Sequence, residues 1–233
     1  DGKPHLADFL EELCKLDFHW IRLHYLYPEW IDDRLIDVIA REDKILKYLD
    51  IPLQHCNDKI LKKMNRRGDK KYLCALLDKL RERIPGLVLR TSIIAGLPGE
   101  GEEEFDELCD FLREQKLLRA GVFPYSPEEG TRAAKMERVD SDEAARRAER
   151  IVDIQSEIID AWNDERQGDV MEVLCEGFDG QSMLFVGRSY AESPDIDGRI
   201  YFSAPRDVAA GEFVPVRITG AMDGELTGEL AEE

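Results

Sequence analysis

Near residue 167 the rhythm of this 233-residue chain changes, and the change limits the folds open to it. Up to about residue 125, strand-like and helix-like runs alternate. Beyond 167, short β-rich runs follow one another, separated by glycines. Alternation of the first kind predicts a parallel sheet with right-handed helical crossovers. Closely spaced strands of the second kind predict a small all-β barrel.

In the first region, helices are expected over 4–15, 31–41, 57–64, 69–83 and 102–114. Strands are expected over 18–25, 48–53, 87–95 and 120–123. Phe105, Leu108, Cys109 and Leu112 form the apolar stripe of a helix lying on a sheet. Four strands are too few for a closed barrel of about eight. The expected class is therefore α/β, a partial (βα) TIM-like barrel. One long helix over 140–164 follows, opened by a capping pattern at Asp140 and Glu143. Strands over 170–175, 183–187, 199–202, 213–218 and 225–230 should then close a five-stranded barrel. The expected domains are 1–165 and 166–233.

Charge separates the two parts. The chain carries a net charge of −18. Residues 167–233 hold 14 acidic and 4 basic side chains, so ten of those net charges sit in the last 67 residues. Such a surface repels phosphate backbones and favours a basic protein partner. No apolar run approaches the roughly 20 residues of a membrane span, and no signal peptide opens the sequence, so a cytoplasmic location is expected. The chain starts without Met and in mid-pattern, as a piece of a longer protein would.

Five cysteines (Cys14, Cys56, Cys74, Cys109 and Cys175) are scattered, with no CxxC spacing. Reduced thiols are the expectation, with Cys74 and Cys109 packed in helices.

Several segments carry chemistry. Arg90 to Glu100 (RTSIIAGLPGE) runs from a strand into a Gly-Pro-Gly turn, where backbone can approach a ligand at the mouth of the sheet. Arg90 and Ser92 share one face by the period-two rule. Gly121 to Thr131 (GVFPYSPEEGT) leaves carbonyls free around Pro124, which suits adenine recognition by main chain. Ile51 to His55 (IPLQH) ends a strand: Gln54 could bond a ribose or carboxylate, and His55 could do acid–base work or fill a structural place. Met64 to Gly68 (MNRRG) could bind an anion or end a helix: Gly68 is expected as a left-handed cap, with Arg66 and Arg67 able to serve both the helix end and an anion. The aromatic-rich exit Leu23 to Glu29 could line a pocket, and the long loop Gly187 to Gly198 is a candidate contact for a basic partner.

The order of these segments resembles the radical S-adenosylmethionine (radical SAM) methylthiotransferases, and the last region resembles the TRAM domain of those enzymes. LHYLYP, IPLQH, FPYSPEEGT and GRSYAESPDIDG are similar to the RimO-type branch, which methylthiolates the β-carbon of an aspartate of ribosomal protein S-twelve. The tRNA-modifying branch is the alternative, and a cluster-free docking module a third. The resemblance implies S-adenosylmethionine and two 4Fe-4S clusters as cofactors. One cluster yields the 5′-deoxyadenosyl radical that takes hydrogen from the aspartate, and the other is associated with the inserted sulfur. It also implies cofactor contacts from Gln54, Arg90, Ser92, Phe123 and Tyr125. The family's CxxxCxxC loop has no counterpart here, so no cluster ligand and no catalytic residue is assigned, and the chain alone is expected to be inactive. Its acidic TRAM-like domain is expected to dock the basic ribosomal protein rather than tRNA.

Overall fold

A computed structural model of the chain describes residues 5–231. The backbone divides into two compact units, one ending at Gln155 and one beginning at Ser156.

The first unit is an open, all-parallel sheet in the order β1 (Ile21–Leu23), β2 (Ile45–Asp50), β3 (Val88–Ala95) and β4 (Arg119–Pro124). Its helices are α1 (Leu6–Cys14), α2 (Asp33–Arg41), α3 (Asp58–Lys63), α4 (Lys70–Arg83) and α5 (Glu102–Gln115). Local sequence sets most of their ends. The side chains of Asp32, Asn57 and Asp69 accept N–H groups of Leu35, Ile60 and Tyr72, capping α2, α3 and α4. At α5, Glu104 reaches back to accept the Gly101 N–H at 3.0 Å, and three glutamates face the positive end of the helix dipole.

Several boundaries differ from expectation, each for a local reason. The strand expected over 18–25 shrinks to Ile21–Leu23, because Tyr25 turns into the left-handed region (φ 58°). The strand expected over 48–53 is β2, which starts earlier and stops at Asp50. Pro52 has no N–H for a ladder, and Lys47 breaks the apolar run only to donate to carbonyls at the end of α2. The helix expected from residue 4 is described only from Leu6, since residue 4 lies outside the described residues. Gly68 is not the cap of α3. Asn65 (φ 57°) is, with the Asn65 N–H donating to Lys62 O and the Arg66 N–H to Leu61 O, a Schellman arrangement. Gly68, also left-handed, instead lets the chain turn toward α4.

The long helix α6 (Ser141–Glu165) forms as expected and is shared between the units. Its capping differs in one respect. Asp140 accepts the Asp142 N–H at 2.9 Å, but Glu143 binds Arg146 and Arg147 rather than reaching back.

In the second unit, β5 (Val170–Asp179), β6 (Leu184–Arg188), β7 (Ile200–Ser203), β9 (Glu225–Leu230) and β8 (Phe213–Met222) close a barrel in that order. All pairs are antiparallel except β7 with β9. Alternate residues turn inward, among them Met171, Val173, Cys175, Ile200, Phe202, Val214, Val216 and Leu226. Trp162 of α6 packs on this core, and Asn163 donates to Gly224 O at 3.0 Å.

Candidate functional site

Register assigns the two faces of the parallel sheet. Leu49, Leu89, Thr91, Ile93 and Ala95 are buried on the face covered by helices. The other face bears Asp50, Arg90 and Arg119 in one row, then Ser92 beside Gly121, then Ile94 beside Phe123. Burial falls along these rows: Asp50, Arg90 and Arg119 are buried, Ser92 and Gly121 are half-buried, and Phe123 is 54% exposed. The result is a polar cradle that deepens away from the C-terminal ends of the strands, the end of a parallel sheet where ligands bind.

The five sequence candidates meet around this cradle. Gln54 is held at its lip with φ 70°, a strained value for a non-glycine residue. Two hydrogen bonds with β3 fix it there: Gln54 N–H to Ser92 O at 2.8 Å and Ile94 N–H to Gln54 O at 2.9 Å. Arg90 lies one row deeper than Ser92, and its Nη1 donates to Asp50 Oδ1 at 3.0 Å. A Cβ built on Gly121 would stand 3.2 Å from the Phe123 ring and 3.3 Å from Arg90 Nη2. Glycine at 121 therefore lets ring and guanidinium lie against the sheet. The Tyr125 N–H donates to Ala95 O at 2.8 Å. Its hydroxyl is buried and meets no hydrogen-bond partner among the described residues.

The Gly96 to Glu100 turn beside the cradle is held by a buried network that sequence reasoning missed. Glu100 accepts the Gly96 N–H and Arg147 Nη1, each at 2.9 Å. Arg147 also donates to Glu143 at 3.0 Å, Glu102 at 3.1 Å and the Glu100 carbonyl at 3.1 Å. His55, fully buried, accepts the Asn57 N–H at Nδ1 (3.0 Å), which leaves the proton of the neutral ring on Nε2. That nitrogen lies 3.3 Å from Glu100 Oε2, within ion-pair reach but off the line of a good hydrogen bond. Burial works against the charged form of Glu100. Contacts from His55, the Gly96 N–H and Arg147 more than offset it and hold the carboxyl below its usual range. His55 is thus a strut of this turn. Its neighbour Gly96 (φ 83°) has no room for a Cβ, which would stand 2.5 Å from Ala144 of α6. Arg66 shares in the α3 cap through its backbone N–H, while its guanidinium lies over the Tyr27 ring.

The thiols do not fit an iron–sulfur cluster. Cys56, Cys109 and Cys175 are buried, and Cys14 and Cys74 half-buried. Burial raises the pKa of all five, with the thiol of Cys56 pushed furthest. Among the described residues no three His, Cys, Asp or Glu side chains gather as a metal site, and no helix is long and apolar enough to cross a membrane.

The open parallel sheet with its helices is of the radical SAM type, and the closed five-stranded barrel is that of a TRAM domain. The radical SAM superfamily profile matches residues 1–112 and the TRAM domain profile residues 168–231. By sequence the chain is similar to RimO-type methylthiotransferases. It is 46% identical over 234 residues to the ribosomal protein uS12 methylthiotransferase RimO of Symbiobacterium thermophilum, covering 99% of this chain and 48% of that protein. It is 47% identical to the RimO of Pelotomaculum thermopropionicum, covering 98% and 52%. The chain thus spans about half the length of the curated relatives it matches. Among solved structures, the radical SAM enzyme coproporphyrinogen III oxidase (HemN) of Escherichia coli shares the fold. Its TM-score is 0.55 at 20% identity, over 67% of this chain and 39% of that one.

Proposed function

We propose that this chain supplies the cofactor cradle and the partner-docking domain of an enzyme that methylthiolates the β-carbon of an aspartate of ribosomal protein uS12. The observation that carries this is the cradle itself, with Gln54 strained at its lip, Gly121 without a Cβ and a Tyr125 hydroxyl buried without a hydrogen-bond partner among the described residues. Gln54, Arg90, Ser92, Phe123 and Tyr125 would hold S-adenosylmethionine. Bound there, that cofactor supplies the hydrogen-abstracting group and the methyl group of radical SAM chemistry. Phe123 offers a ring edge at the rim, Ser92 and Gln54 offer hydrogen bonds to a ribose or carboxylate, and the network at Glu100 keeps the adjoining turn in place. The chain's thiols do not fit a cluster, so no step is assigned to them, and the chain alone is expected to be inactive. The work of this chain, in the cytoplasm, is to bind and to orient.

The acidic second unit is proposed to dock the basic ribosomal protein. The net charge of −10 over residues 167–233 attracts a cationic surface and repels a phosphate backbone. Binding of the chain to uS12 and to tRNA tests this. Tight uS12 binding that weakens with salt is expected. Tight tRNA binding with a steep salt slope would overturn it in favour of tRNA modification.

A further inference from the structure

The turn between α3 and α4 carries a charge opposite to that of the chain as a whole. Residues 58–71 hold seven of the chain's 32 cations and two of its 50 carboxylates. Both carboxylates are engaged, Asp58 accepting the Lys70 N–H and Asp69 the Tyr72 N–H. Of the seven cations, Lys59 pairs with Glu104 at 3.0 Å and Lys70 with Glu107 at 3.2 Å. Lys62, Lys63, Arg67 and Lys71 are exposed and meet no carboxylate within ion-pair distance among the described residues. The Arg66 guanidinium lies 5.6 Å from the centre of the Tyr27 ring and pairs with no carboxylate either. Helix dipoles explain part of this pattern. Lys62 and Lys63 stand in the last turn of α3, where cations are favoured. Lys71 stands in the first turn of α4, where a cation is disfavoured, and Arg67 lies outside both helices.

Folding sets this basic turn beside uncovered rings. The exit from β1 carries Tyr25, Tyr27 and Trp30, which are 68%, 55% and 53% exposed, and Glu29 is the one carboxylate among residues 23–30. The Tyr72 hydroxyl of α4 donates to Pro28 O at 2.9 Å, and with the Arg66–Tyr27 stack this ties the α3–α4 turn to that exit. Lys63 Nζ fills the space that a Gly99 Cβ would take, in the turn beside the cradle. We infer that the α3–α4 turn and the β1 exit form an RNA-contact surface. Lys62, Arg66, Arg67 and Lys71 hold phosphates of a single strand or loop, and its bases stack on Tyr25 and Trp30. Unpaired cations interleaved with exposed rings are the features that single-stranded RNA engages. An acidic peptide would use the cations and leave the rings idle. The inference goes beyond the proposed function and does not depend on it. It adds a hold on the RNA that accompanies a ribosomal protein, at the rim of the cradle, while the acidic second unit is proposed to meet the protein itself.

The test uses the whole chain and four probes: a fluorescent single-stranded RNA of about 16 nucleotides, a duplex RNA of the same length, tRNA and a polyglutamate peptide. Anisotropy is followed across a salt series. The expected result is micromolar binding of the single strand at low salt, weaker binding of the duplex and none of polyglutamate. Lys62→Gln, Arg67→Gln and Lys71→Gln, made together, should weaken the single strand about tenfold or more. They should also flatten the slope of log affinity against log salt by about 2, three phosphate contacts at roughly 0.7 each. Trp30→Ala should weaken the single strand about tenfold with the slope unchanged. Thermal melts of the variants run alongside. If the triple variant melts lower, Lys71→Gln alone decides: it removes a cation from the unfavourable end of a dipole and should flatten the slope by about 0.7 without loss of stability. No binding of the single strand, binding unmoved by the triple variant or by Trp30→Ala, or polyglutamate bound as tightly as RNA overturns the inference, and the proposed function stands. If uS12 is not bound and tRNA is bound far more tightly than the single strand, with the triple variant losing it, the proposed function fails and the RNA surface survives.

Discussion

Replacing Glu100 by alanine should loosen the turn beside the cradle more than any surface change could. The carboxylate is buried, and its loss would strand the Gly96 N–H and leave one face of Arg147 without its buried counter-ion. Removing one partner of a buried pair costs about 3–5 kcal/mol. Arg147 keeps Glu143 and Glu102, so the lower end, about 3 kcal/mol, is expected. For a unit of this size that is a fall of roughly 6–12 °C in melting temperature. Glu100→Gln should cost about half as much, since the amide oxygen can still take the Gly96 N–H. Differential scanning calorimetry resolves the effect, with exposed Glu103→Ala as the control. The pH dependence follows from the direction of the shift. A carboxyl held below its usual range contributes stability that is complete above that range and is lost as pH falls through its depressed value. The advantage of the unaltered chain over Glu100→Gln should therefore be full at neutral pH and disappear in acid. A Glu100→Ala protein that melts within about 2 °C of the Glu103→Ala control, or a difference that grows as pH falls, would refute the argument.

Three further outcomes are expected. In the barrel unit, a Cβ at Gly187 would stand 2.4 Å from Leu174 O and one at Gly228 2.5 Å from Arg217 O, both backbone atoms. Gly187→Ala or Gly228→Ala should therefore strain strand pairing by about 1–3 kcal/mol; amide exchange across β5 to β9 would show it, and unchanged protection would count against the contact. Native thiol titration with an aromatic disulfide should label Cys14 and Cys74 slowly and leave Cys56, Cys109 and Cys175 unreacted until denaturant is added. Anaerobic reconstitution with iron and sulfide should leave no stoichiometric cluster; a full 4Fe-4S complement would show that these thiols can converge.

The elements were largely legible because their signals are local. An apolar stripe at helical spacing marked α5, and β-rich runs set off by glycines marked β5 and β8. Boundaries failed where a distant partner decided them. Lys47 reads as an interruption until its ammonium is seen on the last carbonyls of α2. Gly68 reads as a cap until Asn65 is seen to have turned first. The cradle was legible in part. Gln54, Ser92, Phe123 and Tyr125 end strands or follow them, and strand ends gather at one mouth. Asp50 and Arg119 gave no such signal, since a single polar residue at a strand end is ordinary. Their meaning lies in the register that sets Asp50, Arg90 and Arg119 side by side.

From the sequence alone came the alternation that demands a parallel sheet, the glycine-punctuated strands that demand a barrel, the concentration of negative charge in the last 67 residues and the scatter of the thiols. These follow from spacing and composition, which short-range sterics and hydrophobic burial translate directly into structure. Tertiary structure decided which face of the sheet the helices leave uncovered, that His55 props Glu100 rather than facing a substrate, and that Asp50, Arg90 and Arg119 share one buried row. Those facts depend on strand register and on contacts between residues far apart in the chain, such as Glu100 with Arg147, and only the folded backbone brings such partners within hydrogen-bonding distance.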